Sequence, residues 1–206
     1  MTITDMHTHL RHPGAIVNLG IQDSPADGFV YSAGLHPWHL EKSTPADWDR
    51  TVNLASDPRT VAIGETGLDR ACSTPISLQT EFFLKHIELA RQTGKPLIVH
   101  CVRATDLLLN IKKDLHEPPA FIVHGFRGKP ETALQLEKAG IMVSLGPLFN
   151  NATAKAVNID NLFIETDDTD IDIKEVAARV SMARGESADS IMSKTALNIQ
   201  RIFNVP

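Results

Sequence analysis

The chain has 206 residues, 42% of them hydrophobic, and a formal net charge of −5. That length suits one domain, spanning residues 1–206, with a sizeable core. The acidic balance argues against a broadly basic nucleic-acid-binding surface, so any such contact has to be local or helped by bound cations. Two cysteines, Cys72 and Cys101, make no disulfide framework and point to a reducing cytoplasm. No apolar run approaches the ~20 residues of a membrane span, and the opening residues read as a strand rather than a signal sequence.

The first strand is expected over residues 2–7 and leads into His7-Thr8-His9. Alternate side chains of a strand share a face, so the two histidines project together with Cα atoms ~7 Å apart. They can converge on a metal ion, or be no more than a surface pair. Residues 11–28 contain Pro13, Gly14, Gly20, Pro25 and Gly28 without a helical period; residues 15–21 fit a short extra strand. The apolar run 29–36 is stopped by Pro37. Trp48, Val52 and Ala55 predict a helix over 45–56. A strand over 60–65 closes in Gly64-Glu65-Thr66-Gly67-Leu68-Asp69. The next helix starts near Pro75, buries Phe82, Phe83, His86, Ile87 and Ala90, and ends at Gly94.

Residues 96–101 are almost continuously apolar, as a parallel strand covered on both faces requires. A helix over 104–115, a strand over 120–124, a helix over 130–139 and strands over 141–145 and 162–166 follow. Helical patterns around 173–180 and 191–202 end the chain. This alternation predicts an α/β fold with a parallel sheet. With no Gly-rich phosphate fingerprint after the first strand, a closed barrel fits better than an open nucleotide-binding sheet. The expectation is a distorted TIM (β/α) barrel with its first βα units shortened, at the short end of a fold of typically ~250 residues.

The metal-capable residues fall where strands end. His7 and His9 end the first, Glu65 ends the Val61 strand, and His100, His124 and Asp167 end the strands beginning near Leu97, Phe121 and Leu162. In a parallel barrel these ends share one rim, and active sites sit there. Six ligands from five strands could converge, about what two divalent ions ~3.5–4 Å apart need besides water. Folding alone does not explain the pattern, because a charge on a rim contributes little to the core.

Several blocks, in order, resemble the TatD family of metal-dependent hydrolases: His7-Thr8-His9-Leu10, Gly34-Leu35-His36-Pro37, the Gly64 to Asp69 block, Pro96-Leu97-Ile98-Val99-His100-Cys101, His124-Gly125-Phe126-Arg127-Gly128 and Glu165-Thr166-Asp167. Residues 195–203 resemble that family's closing T-x-x-N-x-x-x-x-F helix. The resemblance implies a distorted TIM barrel with a two-metal site. His7, His9 and Asp167 would hold one ion with Glu65, which bridges to a second ion held by His100 and His124. It also implies metal-dependent DNA hydrolysis, including action on 3′ ends. Two departures stand out. Two βα units usual in the family are compressed here into about 25 residues. The usual E-T-D-A-P is replaced by Asp167 followed by Asp168-Thr169-Asp170, an acidic loop that disfavours a nearby phosphate unless cations intervene.

The expected chemistry is attack by a metal-activated water, with Asp167 orienting the water or accepting its proton. Histidine and carboxylate ligands suit zinc, manganese or magnesium without choosing among them. Arg103 and Arg127 could clamp phosphate, and His36 is expected as a substrate contact rather than a ligand. Asp69 is expected to brace its loop, Cys101 to pack away from the barrel interior, Cys72 to be uninvolved, and His12, His86 and His116 to be structural or solvent-facing. The substrate reading is DNA, through 3′ ends or single strands, or a small phosphodiester. The alternatives are hydrolysis of an amide, ester or aminoacyl ester at the same site, or a non-enzymatic module that keeps a metal for stability.

Overall fold

The computed structural model describes residues 2–205. Eight parallel strands follow one another around a single sheet in chain order. They are β1 (Asp5–Thr8), β2 (Ala15–Leu19), β3 (Val30–Ala33), β4 (Thr60–Asp69), β5 (Leu97–Val102), β6 (Phe121–Val123), β7 (Ile141–Leu145) and β8 (Leu162–Ile164). A parallel bridge between Thr8 and Asp167 brings the first and last strands together. His9 N–H donates to the Asp167 carbonyl (2.9 Å) and Asp167 N–H to the His7 carbonyl (3.0 Å). Buried Asp5 adds to this seam by accepting from Thr166 N–H and Oγ1. The predicted α/β barrel is thus the observed one, with residues 15–21 supplying a true strand.

Among the described residues seven α-helices accompany the strands: α1 (Pro45–Ala55), α2 (Ile76–Thr93), α3 (Thr105–Asp114), α4 (Pro130–Lys138), α5 (Asn151–Ala156), α6 (Ile173–Arg184) and α7 (Ala188–Phe203). None of them lies between β1 and β2 or between β2 and β3. Those parallel connections run through residues 9–14 and 20–29 without a helix, although such a crossover is usually a dozen residues or more. The strands are short enough to allow it, since the chain need return only ~10 Å to restart alongside. Among the described residues no helix is long and apolar enough to cross a membrane.

Strand alternation builds two layers inside the barrel. Met6, Ile16, Ala62, Ile98, Ile122, Met142 and Phe163 form one apolar cluster, joined by Ile199 and Phe203 of α7. Two residues beyond Ile98, Ile122 and Phe163, on the same strand face, stand His100, His124 and Glu165. A second, larger cluster packs strand residues such as Leu97, Val99, Val123 and Val143 against α2 to α7. It includes the partly buried Cys101, whose thiol burial pushes up to about 11.

The strand expected to end at Glu65 continues to Asp69. Gly64 and Gly67 read as punctuation in the sequence, but here they let β4 bulge against β5, with the register shifting between Ile63 and Thr66. A Cβ on Gly67, whose φ is +150°, would sit 2.0 Å from the His100 carbonyl oxygen. The bulge thus presses the Glu65 strand directly onto the His100 strand.

His86 of α2 is fully buried and anchors the loop before His36. Its Nε2 accepts the Leu35 N–H (3.0 Å), and its Nδ1 lies 2.7 Å from the Phe82 carbonyl, which can only accept. Both nitrogens are committed to the neutral ring, and burial pushes its pKa down to about 4. The unfolded chain, with a histidine pKa near 6.5, takes up this proton first. The contribution is therefore complete above pH 6.5 and is lost as the pH falls toward 4, on the order of 3 kcal/mol. Urea titrations at pH 7 and pH 4.5 should show this loss in the wild type. In His86→Gln, whose side-chain oxygen can accept from Leu35, the same interval should be flatter.

Candidate metal centre

Glu65 stands at the centre of the rim and is 2% exposed. Around its Oε1 lie His124 Nε2 (2.7 Å), His100 Nδ1 (2.8 Å) and His36 Nε2 (3.0 Å). Around its Oε2 lie His9 Nε2 (3.3 Å) and His7 Nε2 (3.4 Å). Asp167 Oδ1 is 3.7 Å from both His7 Nε2 and His9 Nε2. All six residues expected as ligands are brought together. His36, expected only to touch substrate, stands inside the cluster, because the loop anchored by His86 carries it inward.

The two nearest histidines are held by carboxylates from behind. His100 Nε2 faces Asp69 Oδ2 (3.2 Å), and His124 Nδ1 faces Glu165 Oε1 (3.3 Å). Carboxylates accept only, so these contacts compete with Glu65 for the ring N–H groups, and a cation bound at the Glu65-facing nitrogens would leave the N–H groups with Asp69 and Glu165. Asp69 is itself fixed by the Trp38 indole N–H (2.6 Å) and the Ala71 N–H (2.6 Å). Asp69 therefore braces its loop, as expected, and also orients His100. Glu165 accepts from Gly125 N–H (2.6 Å), and Asn18 Oδ1 accepts from Glu65 N–H (2.8 Å).

The charges are strongly coupled. Burial disfavours the Glu65 carboxylate, yet the charge of His124 and hydrogen bonds from His100, His124 and His36 hold its pKa well below the usual range. Burial opposes protonation of His124, but Glu65 and Glu165 raise it well above an ordinary imidazole. Hydrogen bonding to Glu65 raises His9, and burial lowers His36. Burial and then the charge of Glu165 raise Asp167.

This donor set fits a divalent cation. His7 is fully buried, and neither of its ring nitrogens has a hydrogen-bond partner among the described residues. His100 Nδ1 lies 3.3 Å from His124 Nε2 and 3.3 Å from His36 Nε2. Lone pairs so crowded need a proton or a cation between them. Three trios have ligand atoms close enough to share an ion: His7, His9 and Glu65; His7, His124 and Asp167; and His36, Glu65 and His100.

Two cavities open onto the cluster. One, of about 360 Å³, runs past Asn18, Leu19, Ile21 and Trp38. The other, of about 610 Å³, is walled by Arg103, Phe126 and Arg127. Trp38, His100, His124, Asp167 and Asp168 border both. The two arginines are exposed and stand off the cluster on the cavity wall.

A protein-family profile described as TatD related DNase matches residues 18–204. The chain belongs to the TatD family. Within it, the chain is 29% identical over 201 residues to a protein of Escherichia coli (strain K12) named uncharacterized metal-dependent hydrolase YcfH, covering 87% of this chain and 75% of that one. It is 27% identical over 202 residues to a protein of Erwinia tasmaniensis named 3′-5′ ssDNA/RNA exonuclease TatD, covering 84% and 78%. The crystal structure of YjjV, a TatD homologue from Escherichia coli K12, superposes with a TM-score of 0.87 over 100% of this chain and 99% of that one. At 22% identity, that likeness speaks to the fold.

Sequence reasoning missed three supports of this TatD-type cluster. Glu165 stood in the quoted Glu-Thr-Asp block with no role, though alternation from Phe163 points it inward with His100 and His124. The link from Asp69 to His100 needed the position of the β4 bulge. Asn18 carried no signal, because its strand was the least certain of the eight. Carboxylates behind ligand histidines typically change metal affinity 10–100-fold. Asp69→Asn and Glu165→Gln should therefore each weaken divalent-ion binding by about that factor, read by calorimetric titration of chelator-stripped protein. An ion at about 100 times its Kd should stabilise the wild type by about 2.7 kcal/mol, and chelator should remove that gain. Affinities unchanged in both variants would show that these carboxylates do not orient ligands.

Proposed function

We propose that this protein is a divalent-metal-dependent hydrolase of phosphodiester bonds, acting on DNA through 3′ ends or single strands, or on a small phosphodiester. The observation that carries the reading is the division of Glu65, with Oε2 facing His7 and His9 and Oε1 facing His36, His100 and His124. A carboxylate so divided suits a bridge between two ions. Glu65, His7, His9 and Asp167 would hold one; Glu65, His100 and His124, with His36 beside them, would hold the other. Nitrogen and oxygen donors suit zinc, manganese or magnesium. Ions held here would supply Lewis acidity and lower the pKa of water toward neutrality.

The chain's own groups do the rest. Asp167 Oδ1 is the proton acceptor, and burial with the neighbouring charge of Glu165 makes it more basic than an exposed aspartate. Asp69 and Glu165 hold the imidazoles of His100 and His124 in register. Arg103 and Arg127 bind the non-bridging phosphate oxygens by charge-assisted hydrogen bonds. Neither arginine has an ion-pair partner among the described residues; the paired ones are Arg59, Arg70, Arg91, Arg179 and Arg184.

The acidic loop after Asp167 weighs less against phosphate than its sequence suggests. Asp168 borders the arginine-lined cavity, whereas Asp170 lies along a different one, with His12 and Lys174. Two arginines thus face the cleft against one aspartate beyond the candidate ligands. The family's description as TatD related DNase, and the exonuclease name of the Erwinia relative, support the same substrate class.

Metal-reconstituted protein should cleave single-stranded DNA with free 3′ ends, and should do so faster than it cleaves a panel of carboxylic esters and amides. Glu65→Ala should lose at least ~10³-fold in kcat/KM. Arg127→Ala and Arg103→Ala should each lose about 10-fold or more, mainly through KM. DNA cleavage equal in wild type and Glu65→Ala would sink the reading. Turnover of the esters or amides alone would move the chemistry to a carbonyl centre.

A further inference from the structure

Trp38 is the only phenylalanine, tyrosine or tryptophan exposed among the described residues, at 57%. It lies in the 3-10 turn Pro37–Lys42, directly after the His36 loop. Its indole N–H donates to Asp69 Oδ2 at 2.6 Å. His36 and His100 meet its ring nearly perpendicular, with centroids 4.8 and 5.7 Å away. The side chain is thus pinned at one end against the candidate ligands, while more than half its surface stays open to water. It also borders both cavities, with Leu19 and Ile21 on one side and Arg103 and Arg127 on the other.

Bracing Asp69 would explain the indole N–H but not the open ring. A glutamine could supply the donor without presenting apolar surface to solvent, and the fold gains nothing from that exposure. A rigid indole with two χ angles, fixed by its N–H, is what a stacking platform requires.

We propose that Trp38 seats an aromatic ring of the substrate beside the scissile bond, so that this site selects phosphodiesters bearing a nucleobase. The proposal rests on the phosphodiester reading above and adds which part of the substrate is recognised. A ring on Trp38 would share one cavity with Leu19, Ile21 and Glu65, and Trp38 also borders the cavity that carries the arginines.

A dinucleoside monophosphate tests this with a single cleavable bond. Thymidylyl-thymidine is compared with analogues in which either base, or both, is replaced by hydrogen, using metal-loaded protein. The wild type should favour the compound with bases over the compound with none by roughly 5- to 100-fold in kcat/KM. Trp38→Ala should bring that ratio to within about twofold of unity. Trp38→Phe, which keeps a ring but loses the donor, should retain most of it. Trp38→Gln, which keeps a donor but loses the ring, should not. A ratio that survives in Trp38→Ala, or that follows the donor rather than the ring, overturns the proposal.

If the wild type cleaves none of these compounds, the phosphodiester reading falls and a binding measurement decides the role of Trp38. In metal-free Trp48→Phe, where Trp38 is the sole indole, thymidine 5′-phosphate should quench its fluorescence and deoxyribose 5-phosphate should not. Equal or absent quenching by the two overturns the stacking role.

Discussion

A carboxylate that is 2% exposed, with five imidazole nitrogens within 3.4 Å, is the constraint on which this barrel depends. Taking Glu65 out of water costs several kcal/mol unless positive charge compensates it. The imidazoles provide that charge only in part, because two of them are shared with a second carboxylate, His100 with Asp69 and His124 with Glu165. Glu65, Asp69, Glu165 and Asp167 place four carboxylates around five neutral-capable rings. Burial first, and then the repulsion of Glu165, raises the Asp167 carboxyl. Such an excess of negative charge is a poor way to stabilise a core and a good way to hold divalent cations.

The barrel supplies this arrangement through alternation. On β5, β6 and β8 the inner face gives an apolar residue to the lower layer and, two residues on, a polar one to the rim: Ile98 and His100, Ile122 and His124, Phe163 and Glu165. Rigid packing below therefore aims the donors above. β1 departs from this rule where its register shifts between Asp5 and Thr8, and β4 at its bulge, where Gly64 and Gly67 allow Glu65 to meet β5 more closely than any side-chain-bearing residue would permit. Metal-capable residues on the rim are thus fixed by elements whose own position is fixed by the core, as a site needing sub-ångström placement requires.

The order of strands, the barrel class, Glu65 and the five expected ligands around it were legible because each leaves a local mark: an apolar run of strand length followed by histidine, glutamate or aspartate. What was not legible depended on geometry between elements. β4 appeared to stop at Glu65 because glycine signals a break locally, whereas here its meaning lies in the distance to His100 across the sheet. His36 looked like a rim residue of the substrate cleft, since nothing in residues 34–37 tells that His86, fifty residues on, pulls Leu35 inward. Helix α5 is only Asn151–Ala156, too short for a helical period to register. Asn18 sat in the extra strand expected over residues 15–21, where nothing local marks it as a support of the Glu65 backbone.

That stretch also explains how the barrel does without its first two crossover helices. The outer faces of β2 and β3 still need cover, and Val17, Leu19 and Tyr31 form a small cluster there with Phe29 and Leu54 of α1. The loop of residues 20–29 is laid over them in place of a helix. Arg50 of α1 donates to the carbonyls of Ile21 and Asp23, Arg59 to that of Pro25, and the Tyr31 hydroxyl accepts from Ala26 N–H. Side-chain donors thus satisfy backbone acceptors that a helix would have satisfied internally. The strands survive because they carry His7, His9 and Asn18 into the cluster, whereas the missing helices would have served only as outer covering. Residues 19–21 form a wall of the smaller cavity. The helix-free connection after β2 therefore forms the side of the cleft away from the arginines, and loops of this kind are where binding surfaces of barrels are commonly built.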